Sequence, residues 1–170
     1  MATTRWGQVV DALLERLRAR TGLTDPEDRA AGATAVYDGP QVALVAEQGE
    51  DYLVVGWSGD PDDPEAAGDS GQATASSGTP RSRDETGTVQ LLAVAQSGDA
   101  DPDGSTVAAV RARALALVGH VEAELRAAPD LGVASAYMEA RVGGASSIRQ
   151  FVQGGAVCWI EFQVTYRTRI

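Results

Sequence analysis

Lysine is absent from this chain: all fourteen basic residues are arginine. That removes P-loop phosphate binding and Schiff-base chemistry, both of which need a lysine ammonium. Cysteine and histidine occur once each, as Cys158 and His120. A single cysteine forms no internal disulfide, which fits synthesis in a reducing compartment. One Cys and one His also fall short of a zinc site built within one chain. No apolar run approaches the roughly 20 residues that a membrane helix requires. Met1 to Gly7 carry no basic stretch followed by an apolar one, so no signal peptide is read there. Positive charge is scarce overall, and the formal net charge is −10. A surface that neutralises nucleic-acid phosphates or docks on an anionic membrane would need the opposite balance.

What is present suits one folded domain spanning residues 1–170, with 44% hydrophobic residues to build a core. Thr3 or Thr4 can cap a helix running to about Arg20. Along it Trp6, Val9, Val10, Leu13, Leu14 and Leu17 recur at three- and four-residue steps. Short strands are read at Ala35 to Tyr37 and Val42 to Ala46, and a clearer one at Tyr52 to Trp57. Ser58 to Thr88 holds no Val, Ile, Leu, Met or aromatic residue, and it predicts a long flexible loop. Val89 to Gln96 returns to strand. Ser105 to Ala128 predicts the longest helix, with Val107, Val110, Ala114, Leu117, Val118, Val121 and Leu125 on one arc and Pro129 after it. Ala134 to Val142 and Ile148 to Val152 read as strands separated by a break at Gly143 to Ser147, and Gly154-Gly155 as a tight turn. Val157 to Ile170 alternates strictly: Cys158, Ile160, Phe162, Val164, Tyr166 and Ile170 face one way, and Glu161, Gln163, Thr165, Arg167 and Arg169 the other. The expected class is α+β: a mostly antiparallel sheet with two main helices packed on one face, a two-layer sandwich with one long flexible loop.

The chain offers little that points to catalysis. His120 lies opposite the apolar arc of its helix, where a surface or interface role is expected, and no nucleophile-elbow pattern accompanies it. Asp99, Asp101, Asp103 and Gly104 open like a calcium loop, but Val110 stands where the bidentate glutamate belongs. A helix cap at Asp103 or Ser105 accounts for them better. Gly143-Gly144 and Gly154-Gly155 precede no helix and lack the dinucleotide fingerprint. Cys158 lies on an apolar strand face, where it behaves as a small hydrophobe. The acidic tract Asp60, Asp62, Asp63 and Glu65 is broken by prolines, as in a solvated loop. The reading is of a protein that works by binding rather than catalysis, with no cofactor or metal.

In the order of its elements the chain resembles the tail terminator family of long-tailed phages, the lambda-like tail-end proteins. The residues that carry the resemblance are WGQVVDALLERLRAR, YLVVGW, VQLLAVAQSGD, STVAAVRARALALVGHVEAEL and AVCWIEFQVTYRTRI. They cover nearly the whole chain except 58–88, a stretch that departs from the compact family pattern. The resemblance implies a structural virion protein, assembled in the host cytoplasm. Six copies would form a ring that caps the tail tube, stops its polymerisation and joins a head–tail connector. DNA would slide through a lumen whose negative lining repels phosphate. Capping needs a contact that cannot repeat, made by loops and polar faces on a rigid sheet. Candidates are Arg167, Arg169 and Glu161 on the polar strand face, Gly143, Gly144 and Ser146 in the break, and Asp60, Asp62 and Asp63 in the acidic tract. The alternatives are another neck component such as a head-closure protein, or a small ligand- or calcium-binding domain using Asp99 to Asp103.

Overall fold

A computed structural model describes residues 4–25, 27–28, 33–39, 51–57, 68–74, 83–98, 104–135, 138–152 and 155–169. The elements are α1 (Trp6–Ala19), β1 (Leu23–Thr24), β2 (Thr34–Asp38), β3 (Tyr52–Val55), β4 (Gly68–Thr74), β5 (Arg83–Ser97), α2 (Ser105–Ala127), β6 (Met138–Val152) and β7 (Ala156–Arg169). The expected α+β two-layer class does not hold. The chain is a mixed α/β domain in which strands dominate: two helices and an open, mostly antiparallel sheet, seven-stranded among the described residues. The strand order is β1-β2-β3-β5-β7-β6, with β4 pairing β5 off that path. β1, β2 and β3 run parallel to one another, which the antiparallel expectation did not contain.

The second correction concerns 58–88. The described part of that stretch is not loop: β4 pairs along Arg83 to Val89, the first half of β5. Lack of large apolar side chains does not prevent a strand whose backbone is satisfied on both sides, and here β7 takes the other side of β5 from Asp84 to Ser97. β3 then continues the β4 side of β5 at Leu91 to Val94. β5 is therefore the central strand, and β3 and β4 lie end to end along one of its edges. The third correction is the break at Gly143 to Ser147. β6 runs through it as one strand with a register shift against β7. Four residue steps on β6 face two on β7, from Gly143 opposite Gln163 to Ser147 opposite Glu161.

Both helices lie on one face of the sheet, and the core there joins Leu13 and Leu17 of α1, Leu117 and Val121 of α2, and Phe162 and Val164 of β7. Burial alternates residue by residue along β7, as its sequence requires. The opposite face is not uniformly polar. Tyr52, Val54, Trp57, Leu92 and Val94 form a second buried cluster there, with Tyr37, Val157 and Trp159 packed against it. α2 is preceded by Gly104, in a left-handed conformation with φ 78°, and the Ser105 side chain lies outside the described residues. The Asp103 alternative lies outside the described residues, as do the Val42 to Ala46 strand and Ile170.

α1 has no acidic residue in its first turn, yet its N-terminus is met by a carboxylate from far along the chain. Glu85 of β5 is 0% exposed. Its oxygens accept from Thr4 Oγ1 at 2.7 Å, from the Arg5 backbone N–H at 3.0 Å, from Tyr166 Oη at 2.7 Å and from Gln72 Nε2 at 3.4 Å. Thr4 Oγ1 in turn accepts the Trp6 backbone N–H at 3.1 Å. Unpaired helix N–H groups and the positive end of the helix dipole favour a negative charge at that position. The indole of Trp6 donates to the Thr88 carbonyl at 2.9 Å. β4 passes so close beneath it that a Cβ on Gly68 (φ +142°) would lie 2.1 Å from that same carbonyl oxygen. Gly68 is thus required by a close backbone approach.

Burial pushes the Glu85 carboxyl up, but the hydrogen bonds from Tyr166, Thr4, Arg5 and Gln72 outweigh it and hold the group below its ordinary value of 4.5. A carboxylate with a depressed folded-state value contributes stability that is complete above the unfolded value and is lost as pH falls through the folded one. Glu85→Gln is therefore expected to cost about 2 kcal/mol at neutral pH, the scale of hydrogen bonds to a charged group. In denaturant titrations the gap between wild type and variant should close as the solution is acidified below 4.5. A gap that does not change with acidification would show that the charge of Glu85 is not what holds α1.

Candidate interaction surface

The polar side of β7 shares its sheet face with alternate residues of β5 and β6. Asp84 on β5 lies directly opposite Arg169. Arg169 Nε donates to Asp84 Oδ1 at 2.9 Å, and Arg167 Nη2 donates to Asp84 Oδ2 at 3.0 Å. Arg169 first, and then Arg167, hold the Asp84 carboxyl below its ordinary value, and Asp84 raises Arg169 in return. Glu161 accepts from Ser147 Oγ at 3.0 Å and pairs with Arg149 Nη2 at 3.3 Å. Of the charges expected at partner contacts, Arg167, Arg169 and Glu161 are thus engaged inside the chain, as ion pairs across strand neighbours.

Gly143 has a structural reason to be glycine. A Cβ there would lie 2.8 Å from Thr165 Oγ1 and 2.9 Å from Thr165 Cγ2, so the residue lets β6 lie close under that side chain. Gly144 and Ser146 lie within the β6 bulge, and the Ser146 side chain is outside the described residues. Asp60, Asp62 and Asp63, and the Asp99, Asp101 and Asp103 group, are outside them as well.

His120 is half-buried between the helices. Burial first, and then the Arg20 guanidinium, lower its pKa and favour the neutral ring, whose Nδ1 accepts from Arg20 Nε at 3.0 Å. Arg20 and Arg16 also reach the two oxygens of Glu124, each at 3.2 Å. The cluster ties the end of α1 to α2. Cys158 is fully buried, and burial pushes its thiol up despite the opposing influence of Arg111, so it stays protonated. Trp57 Nε1 is buried in the second cluster without a hydrogen-bond partner among the described residues. Among the described residues no group of three His, Cys, Asp or Glu side chains could hold a metal ion, and no helix is long and apolar enough to cross a membrane.

Sheet edges are expected at subunit contacts, but the sequence does not say which strand supplies one. Among the described residues β6 pairs on one side only, with β7. Fifteen residues at about 3.3 Å each make an edge roughly 50 Å long. α2 runs alongside it. Arg111 Nη1 donates to Gln150 Oε1 at 3.4 Å near one end. Near the other is a cleft of about 150 Å³ lined by Glu122, Leu125, Arg126, Ala140, Arg141 and Val142. Between them lie Leu115, one turn on from Arg111, and Ile148, two residues from Gln150 on the same strand face. They are 47% and 51% exposed, and are the large exposed hydrophobic residues among those described. Leu115 interrupts the polar side of an otherwise regular helix, the one sequence signal that could have marked this edge.

No family model matches the chain, and no curated protein matches it significantly.

Because Arg167 and Arg169 both hold Asp84, changing both to Glu places three carboxylates at the ends of β5 and β7. The double variant should melt at a lower temperature than wild type, whereas Arg141→Glu on exposed β6 should not. Equal melting curves for all three, read by circular dichroism, would mean that the Asp84 pairs do not contribute to holding those strands together.

Proposed function

We propose that this chain is a structural, ring-forming protein of a phage tail end: six copies cap the tail tube, stop its growth and offer a surface to a head–tail connector. The observation that supports this reading best is the outer edge of β6, which no strand among the described residues pairs, with two exposed apolar side chains beside it. Natural sheets seldom leave a long edge open, since it templates pairing with another chain. Exposed apolar residues grouped along such an edge mark a protein contact more readily than scattered ones do. The resemblance in element order to tail terminators adds the kind of assembly in which the edge would be used. On this reading the protein resides in the virion and its partners are further copies of itself, the tube protein and the connector. DNA passes through without specific contact, as an acidic lumen favours.

A head-closure role would use the same architecture with a different partner. A phage lacking the gene separates the two. Loss of a terminator should give tails of uncontrolled length that do not join heads, counted by negative-stain microscopy. Tails of normal length that fail to attach would favour the closure role. Normal tails attached to heads would overturn the reading.

A further inference from the structure

The two ends of the sheet order differ in charge. At the β6 end Arg111, Arg126 and Arg141 are exposed. Glu122 is taken up by Arg126 at 3.0 Å and Glu161 by Arg149 at 3.3 Å, which leaves exposed Arg111 and Arg141 against exposed Glu139, a small basic surplus on the flank of β6 in an acidic protein. At the other end α1 lies over β1 and β2. Arg18 fixes its outward side, donating to the Val36 carbonyl at 3.1 Å and pairing with Asp25 at 3.4 Å. Asp11, two turns before Arg18, lies on the same side of the helix. With Arg18 occupied, Asp11, Glu15, Glu27 and Asp28 remain exposed and give this end an acidic surplus.

A contact that joins like ends would set arginine against arginine or carboxylate against carboxylate, which repel. A contact between unlike ends pairs them, and places the exposed Leu115 and Ile148 under cover at the same time. Every copy carries one end of each kind. Such a contact is heterologous: it repeats from copy to copy and closes into a ring when the rotation permits.

We propose that copies of this chain associate head to tail, the β6–α2 edge of one against the α1–β1 edge of the next. The inference rests on the ring reading and assigns its subunit contact.

Charge swapping on the full chain tests it. One variant carries Arg111→Glu and Arg141→Glu, so that both of its ends are acidic. The other carries Asp11→Arg and Glu27→Arg, so that both are basic. All four positions are exposed, and thermal melts check that each variant folds. Assembly is followed by sedimentation velocity and native mass spectrometry from micromolar to millimolar concentration. Each variant alone should need at least about tenfold more protein than wild type to assemble. An equal mixture should recover assembly with the two variants in equal number, because every junction then joins unlike ends. Variants that each assemble as wild type does would overturn the edge assignment and leave the ring reading standing. A wild type that stays monomeric throughout, both alone and with purified tail tubes, would overturn both.

Discussion

A buried carboxylate holds this fold together at the point where helix and sheet meet. Glu85 is fully enclosed, and its hydrogen-bond donors are hydroxyls, a backbone amide and a side-chain amide rather than a cationic side chain. A buried charge in that situation is tolerated where several donors and a helix N-terminus are aimed at it. Those donors come from the residues before α1, from β4 and from β7, so one group on β5 fixes three other parts of the chain. With α1 pinned at that end by Glu85 and Trp6, and at the other end to α2 by Arg16, Arg20, Glu124 and His120, its register on the sheet is determined.

That constraint was not legible in the sequence. Glu85 stands in a stretch without large apolar residues, and periodicity says nothing where there is nothing apolar to recur. The helices and β7 were legible because each buries a single face: the apolar arc of α2 returns as buried Val110, Ala114, Leu117, Val121 and Leu125, and alternation along β7 returns as alternate burial. β6 was half legible. Its glycines suggested a break, but Gly143 is small because Thr165 crosses it, and the chain continues as a bulged strand. The parallel β1-β2-β3 edge escaped because β1 and β2 are short and parallel pairing leaves no local turn signal. Arg167 and Arg169 were correctly placed on a polar face, but their partner Asp84 lies on a strand more than eighty residues away in sequence, and the register that brings it opposite Arg169 is a property of the folded sheet.

The same geometry shifts attention from charges to edges. The polar face of β7 has its ion pairs completed within the chain, so a contact made there would have to break them. The β6 edge demands no such exchange: no strand among the described residues pairs its outer side, and Leu115 and Ile148 stand exposed next to it. On the proposed reading the protein does no chemistry. Its work is to present complementary surfaces, held in place by a sheet whose central strand is clamped on both sides.

Electron cryo-microscopy of intact particles, at a resolution sufficient to trace this chain, addresses the central claim most directly. The account predicts a closed ring of six copies at the head-proximal end of the tail tube, with neighbouring subunits in contact through their sheet edges. A particle in which the chain occurs as an isolated copy, or as an open filament, would contradict it.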